Sequence, residues 1–248
     1  MSTTTLNRDP RIKAYAALIF AVLIAVVGAA MMTVTSSPTM KGAALLWLPA
    51  ALQLIAGVWL GPRLGFLAGG IGAYAAGIIA YGGWGLTDII MNLIAGGVAN
   101  AMLPAVLFRV LGVQPNLGSR PQFIGRGIGV IVAILVVCVG LAIGLRTLPL
   151  GTWAYAPSLA ILAIAPLFLR NLNINGRQLM LGVAIAILAC AVSAAIGVTG
   201  AVVGGQSWSG AFVSVGIGWF FGDTVSAMLG LYMLAALTDR AKYAGLVA

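Results

Sequence analysis

Long apolar runs, separated by short polar or glycine- and proline-rich connections, make up most of this chain of 248 residues. A helix needs about 20 apolar residues to cross the hydrocarbon core of a bilayer. Runs of that length recur along the whole chain, so the pattern predicts an all-α, polytopic bundle of about eight transmembrane helices. The predicted spans are 14–34, 43–60, 64–82, 87–111, 127–146, 153–169, 179–201 and 211–237.

The 13 Lys and Arg residues lie in the polar connections and indicate which side of the membrane each connection faces. With eight spans and a cytoplasmic N-terminus, only Lys41 and Arg146 lie outside. The other eleven lie inside: Arg8, Arg11, Lys13, Arg63, Arg109, Arg120, Arg126, Arg170, Arg177, Arg240 and Lys242. Because cytoplasmic loops are enriched in basic residues, this arrangement predicts a multi-pass protein of the cell inner (plasma) membrane with both termini inside.

The polar segments divide the predicted bundle into two halves. The division is a cytoplasmic tail 1–13, a first four-helix half 14–112, a cytoplasmic linker 113–126, a second four-helix half 127–238 and a cytoplasmic tail 239–248. Gly96 and Met102 match Gly222 and Met228 at a constant offset, which suggests a 4+4 parallel internal repeat. Chance similarity in a chain rich in Gly and Ala is the alternative.

Composition narrows the possible chemistry. Hydrophobic residues make up 62% of the chain and charged residues 7%, which excludes a soluble globular domain. The chain has no His and no Glu, so most metal sites and every His-based triad are excluded. It also has no P-loop for ATP hydrolysis. Its basic residues mark helix ends and form no continuous face for nucleic acid. We therefore predict that the protein is not an enzyme, holds no cofactor and binds no nucleic acid.

Asp223 lies near the middle of the last predicted span, in the run GWFFGDTVSAMLG. An ionised carboxylate facing lipid at that depth costs several kcal/mol, so this side chain should face the bundle interior. One interpretation is a ligand, ion or proton site, with Trp219 one turn earlier as a wall. The other is a carboxyl hydrogen-bonded across helices, or one that caps a helix broken at Gly222.

A second group of polar residues surrounds the start of the fourth span. Asp88 opens this helix, and the capping of free N–H groups is the simplest function for it. Trp84 and Asn92 would join Asp88 at the lip of an outward-facing pocket, with Asn100 about two turns deeper. Interhelical hydrogen bonding is the alternative for both asparagines.

Small residues recur every fourth position in two spans. Ala17, Ala21, Ala25 and Ala29 do so in the first span, and Gly65, Gly69, Ala73 and Gly77 in the third. Such stripes let helices approach closely within a bilayer. Packing inside the chain is the default explanation, and docking of a partner membrane protein on the first span is the competing one.

The run LPAALQLIAGVWLGPRLGFLAGGIGAYAAGIIAYGG resembles the substrate-binding S components of energy-coupling-factor vitamin transporters. In that family an alanine stripe on the first helix docks the shared coupling subunit. The resemblance therefore implies docking at Ala17, Ala21, Ala25 and Ala29, and uptake of a vitamin-like molecule powered by separate ATPase subunits. S components usually have six spans, whereas eight are predicted here.

The C-terminal run GWFFGDTVSAMLGLYML resembles the membrane-associated sensor modules of bacterial histidine kinases and diguanylate cyclases. Trp219, Gly222 and Asp223 match their Trp-x-x-Gly-Asp element. This resemblance implies about eight spans and signalling through a partner chain, since only eight residues follow Arg240.

Together these patterns predict an integral membrane solute-binding protein, the substrate-specific component of a small-molecule uptake transporter energised by partner subunits. A membrane sensory module and a structural subunit of a larger membrane complex are the alternatives. The predicted partners are the lipid bilayer, a small-molecule ligand and a membrane protein.

Overall fold

The computed structural model describes residues 10–36, 44–83 and 85–247. Helix accounts for 82% of the structure, and the described residues contain no β-strand beyond an isolated bridge between Ser36 and Ala44. The helices are α1 Pro10–Val34, α2 Pro49–Leu60, α3 Pro62–Tyr81, α4 Leu86–Val110, α5 Ile124–Leu145, α6 Ala156–Phe168, α7 Gly176–Val203 and α8 Trp208–Tyr243. The prediction of an all-α fold is confirmed.

Seven of these helices are long and apolar enough to cross a membrane, with α6 extended by the short 3₁₀ turn Gly151–Tyr155 in front of it. The chain is therefore a membrane protein. The exception is α2, whose 12 residues extend only about 18 Å at 1.5 Å per residue. The predicted span 43–60 was too long at its start, because Pro49 occupies the first helical position and residues 44–48 are not helical.

The segment that leads into α2 is buried without being helical. Leu45 donates its backbone N–H to the carbonyl oxygen of Thr35 at 3.0 Å. The Thr35 hydroxyl donates to the Met31 carbonyl at 2.8 Å, with the Leu46 carbonyl as a second, longer acceptor at 3.3 Å. Leu45 and Leu46 are both buried. Irregular backbone at membrane depth must find its hydrogen-bond partners inside the protein, and these bonds supply some of them.

Glycines bring α2, α3 and α4 into backbone contact. A Cβ atom added to Gly57 of α2 would lie 2.0 Å from the carbonyl oxygen of Ala101 in α4, and one added to Gly69 of α3 would lie 2.8 Å from that of Gly96. No larger side chain fits at these crossings. The small-residue stripe of α3 therefore serves packing within the chain.

The alanine stripe of α1 also faces the protein's own bundle. Ala17 and Ala25 are buried, Ala21 and Ala29 are partly buried, and the Ala21 carbonyl oxygen lies 2.7 Å from where a Cβ of Gly72 in α3 would stand. A partner docked on this stripe would have to displace α3. Packing inside the chain explains the stripe, and docking on it stays a prediction.

The predicted linker 113–126 is a packed connection. Leu117 is fully buried and accepts a backbone hydrogen bond from Asn175, while Arg120 donates its own N–H to the carbonyl of Leu172. The Thr238 hydroxyl donates to the Pro115 carbonyl at 3.1 Å. This connection therefore ties the end of α8 to the α6–α7 turn.

The two predicted halves share one bundle. Helix α4 of the first half packs against α7 of the second, and α2 packs against α8. Basic side chains contact the backbone at both ends of the bundle. Arg109 lies beside Gly61 at one end, and the Arg146 guanidinium donates to the Val34 carbonyl at the other. The 4+4 repeat stays a prediction.

Candidate functional site

A cavity of about 150 Å³ lies within the bundle, with walls from α1, α2, α3, α4, α7 and α8 and from the segment that precedes α2. It brings together five of the six residues predicted to bind substrate: Asp88, Asn92, Asn100, Trp219 and Asp223. The sixth, Trp84, lies outside the described residues. The non-helical segment before α2 contributes Ala44 and Trp47 to the cavity wall.

Three polar side chains from three helices meet deep in the cavity. The Asn100 amide nitrogen on α4 donates to Asp223 Oδ2 on α8 at 3.0 Å and to Ser193 Oγ on α7 at 3.2 Å. The Ser193 hydroxyl in turn donates to Asp223 Oδ2 at 2.9 Å. Asp223 therefore receives two hydrogen bonds on one oxygen, both from other helices.

Asp223 has no cationic partner among the residues that the structure describes. Its side chain is 2% exposed, and no Lys or Arg of the described ranges forms an ion pair with it. The helix is continuous through Gly222, so Asp223 does not cap a break in it. Of the sequence-based interpretations, hydrogen bonding across helices is observed, and the adjoining cavity keeps the ligand interpretation open.

At the other end of the cavity, Asp88 performs the predicted local task. Its Oδ2 accepts the backbone N–H of Gly85 at 3.0 Å, which satisfies one of the free donors at the start of α4. The carboxylate also lines the cavity, together with Tyr81 at the end of α3. Capping and a position at the cavity rim are therefore compatible for this residue.

Glycines make room for the side chains that wall the cavity. A Cβ atom at Gly77 would lie 2.6 Å from the Asn92 amide nitrogen, and one at Gly197 would lie 2.6 Å from Cε3 of Trp219. Gly28 does the same for Trp47, whose Cη2 atom would lie 2.9 Å from a Cβ there. The positions of these polar and aromatic groups thus depend on glycines in neighbouring helices.

Sequence reasoning missed Gln53, Ser193 and Trp47. Gln53 in α2 is fully buried and lines the cavity, and its amide nitrogen donates weakly to the Gly69 carbonyl at 3.3 Å. Its Oε1 has no hydrogen-bond partner among the described residues. A single amide inside the apolar run LPAALQLIAG was the available signal. Ser193 gave none, because serines are common in transmembrane helices.

The fourth helix departs from α geometry along the cavity. Ile89–Met102, which carries Asn92 and Asn100, is a π-helix, and Phe212–Gly216 in α8 is a second π segment. The sequence predicted an ordinary helix at both places. Such segments are rare and are often found at functional sites, and here both lie in helices that wall the cavity.

A larger and more open groove of about 450 Å³ lies between α7 and α8. Its lining is apolar apart from Thr199, and it includes Trp208 and Phe212, which are well exposed. Lipid chains are sufficient to fill a groove of this composition. The smaller cavity is therefore the candidate site, because it alone of these two combines enclosure with several converging polar groups.

No protein-family model matches the chain, and no curated protein or solved structure is significantly similar to it. Within the described ranges, no group of three His, Cys, Asp or Glu side chains could hold a metal ion. Because the comparisons found no relative, the two family resemblances stay predictions.

Proposed function

We propose that this protein binds a small solute in the cavity above Asp223, as the substrate-specific component of an uptake transporter energised by partner subunits. The observation that carries the proposal is the enclosed cavity, in which Asn100, Ser193 and Asp223 meet at one end and Asp88 lines the other. A few converging polar groups in a mostly apolar pocket are typical of small-molecule sites.

The proposed orientation places the cavity rim on the outer side of the plasma membrane. Asp88 begins α4, and Arg109 ends it near the Gly61 turn. Because basic residues concentrate on the cytoplasmic side, the Arg109 end faces inward and the Asp88 end outward. A solute would therefore enter from outside.

Energy for transport would come from partner chains. The sequence has no P-loop, and its resemblance to S components supports separate ATPase subunits and a membrane coupling subunit. A coupling subunit has an apolar face available on α1, where Tyr15, Leu18, Val22 and Val26 are exposed. This face lies beside the alanine stripe and does not require α3 to move.

The sensory module remains the second proposal, since the same cavity could receive a signal molecule and Trp219 and Asp223 both line it. The structural-subunit alternative has less support. It requires a partner chain to satisfy Asp223, whereas Asn100 and Ser193 already donate to this carboxylate within the chain.

Purification from the native membrane in mild detergent, followed by mass spectrometry, tests the proposal. We expect a small molecule retained by the protein, together with ATPase subunits and a coupling membrane protein. A co-purifying kinase or cyclase would support the sensory module instead. A stable complex that contains neither, with no retained solute, would contradict solute binding.

A further inference from the structure

The free hydrogen-bonding capacity in the deep part of the cavity is mainly that of acceptors. Asn100 Nδ2 donates to Asp223 and Ser193, so both of its hydrogens are used. The Ser193 hydroxyl hydrogen is used on Asp223. The oxygens Asn100 Oδ1, Asp223 Oδ1 and Gln53 Oε1 have no donor among the described residues. A ligand that satisfies these oxygens must donate hydrogen bonds.

The charged side chains that line the cavity are all negative among the residues that the structure describes. Asp88 and Asp223 both line the cavity, and no Lys or Arg of the described ranges does. A carboxylate in the interior of a transmembrane bundle is costly until a positive charge or a proton balances it. The two hydrogen bonds to Asp223 Oδ2 offset part of that cost, but neither donor carries a positive charge.

Aromatic rings complete the surroundings. Trp47 and Trp219 line the same cavity as Asp223, and Tyr81 lies toward the rim. The faces of aromatic rings attract organic cations, and indole does so most strongly. Acceptor oxygens, carboxylates and aromatic faces are together the features that recognise an ammonium group.

We propose that the ligand is a compact organic ammonium ion whose N–H groups bind Asp223 Oδ1 and Asn100 Oδ1, the unused oxygens of two side chains that line the cavity. This inference rests on the proposed function and specifies its substrate class. Asp88 at the rim would raise the local concentration of cations at the entrance.

The size of the cavity limits the apolar part of the ligand. An engineered protein cavity of about 150 Å³ holds benzene, and the cavity here has the same volume, about 150 Å³. An alkyl group of roughly four to six carbons therefore fits, and a nucleotide or a flavin does not.

A proton is the competing partner for Asp223. A protonated carboxyl would remove the negative charge and with it the preference for cations. The protein would then bind a neutral molecule of the same shape as well as it binds an amine.

Three probes with the same carbon chain separate these cases: n-butylammonium, 1-butanol and butyrate. Each is titrated by ligand-observed NMR against the full chain in lipid nanodiscs at fixed ionic strength, with empty nanodiscs as the blank. We expect the dissociation constant of n-butylammonium to be lower than that of either other probe by at least about tenfold. This comparison uses the wild-type protein and does not depend on the folding of any variant.

The variant Asp223→Asn should abolish the preference for n-butylammonium, and Asp239→Asn, a carboxylate outside the cavity, should retain it. Equal or tighter binding of 1-butanol or butyrate would overturn the inference, as would a preserved preference in Asp223→Asn. Binding of none of the three probes would overturn it as well. A neutral or anionic molecule retained from the native membrane would refute the ammonium class and still support solute binding, so the two failures are distinguishable.

Discussion

Helix α8 carries two aspartates, 16 residues apart, that have the same kind of partner and different surroundings. Asp223 accepts from the Asn100 amide at 3.0 Å, and Asp239 accepts from the Asn116 amide at 3.2 Å. The first bond joins α8 to α4, and the second joins α8 to the connection between α4 and α5. By hydrogen bonding alone, the two carboxylates look alike.

Their electrostatic surroundings separate them. Asp239 lies near the end of the helix with its side chain 41% exposed, and Lys242 lies 3.5 Å away. Asp223 is buried beside a cavity, with no Lys or Arg paired to it among the described residues. The charge of Asp239 is solvated at the surface and paired with Lys242, so it needs no ligand. Of the two aspartates, Asp223 is therefore the one that we expect at a binding site, because it is buried beside a cavity and has no cationic partner among the described residues.

Replacement of each aspartate by asparagine gives the largest expected contrast. If Asp223 pairs with a buried cationic ligand, removal of its charge costs about 3–5 kcal/mol of binding free energy. We expect Asp223→Asn to lose the solute that the wild-type protein retains, while Asp239→Asn keeps it. Quantitative mass spectrometry of the purified proteins measures the difference. Equal retention of the solute by both variants would contradict the claim that Asp223, and not Asp239, binds it.

The partner asparagines give the next contrast. Asn100→Leu leaves the buried Asp223 Oδ2 with the Ser193 donor only. We expect a loss of about 1–3 kcal/mol in the free energy of unfolding. Asn116→Leu leaves Asp239 better satisfied, because water can replace the lost donor at this half-exposed carboxylate, but it also removes the bonds of Asn116 to the Gly118 N–H and the Ser119 carbonyl. Thermal denaturation in detergent measures the loss for Asn100→Leu, and an unchanged stability would contradict a structural contribution of the Asn100–Asp223 bond.

Thr238 tests whether the Asp239 end is structural. Its hydroxyl accepts from the Trp59 indole N–H at 3.0 Å and donates to the Pro115 carbonyl at 3.1 Å. Thr238→Val keeps the shape and removes both bonds, so we expect a loss of about 1 kcal/mol in stability. Solute retention should stay at the wild-type level. A fall in retention with stability unchanged would place function at this end too.

The Lys242–Asp239 ion pair should matter least. Both side chains are about half exposed, and pairs of this kind contribute about 0–1 kcal/mol. We expect Lys242→Met to change the melting temperature by no more than a degree or two, which corresponds to a few tenths of a kcal/mol. A larger shift would show that the charge of Asp239 is less well solvated than its exposure indicates.

Apolar run length alone was enough to locate most of the helices. Seven helices fall where long runs predict them, because a membrane-crossing helix needs a continuous apolar stretch. The start of α2 could not be predicted in the same way. Residues 44–48 are apolar enough to continue a helix, yet they have an irregular backbone, in which Leu45 donates to the carbonyl of Thr35 in the preceding segment.

The site was predictable where a polar residue stands out against its apolar span. Asp223 and Asn100 did so, and they are in direct contact. Gln53 stood out as clearly and was overlooked. The contribution of Ser193 depends on how α7 rotates against α4 and α8, which no periodicity in the sequence reports.

Cysteine labelling from the outside tests whether the cavity above Asp223 is an outward-open site. Both native cysteines, Cys138 and Cys190, are first replaced by alanine. Asn92→Cys then places one thiol on the cavity wall. As the control, Val136→Cys places one thiol on the face of α5 that points away from the bundle. Intact cells are treated with a cationic and with an anionic methanethiosulfonate reagent. We expect the cationic reagent to label Asn92→Cys faster than the anionic one, n-butylammonium to protect it, and Val136→Cys to stay unlabelled. Failure of both reagents to label Asn92→Cys in a folded protein would contradict an outward-open binding cavity.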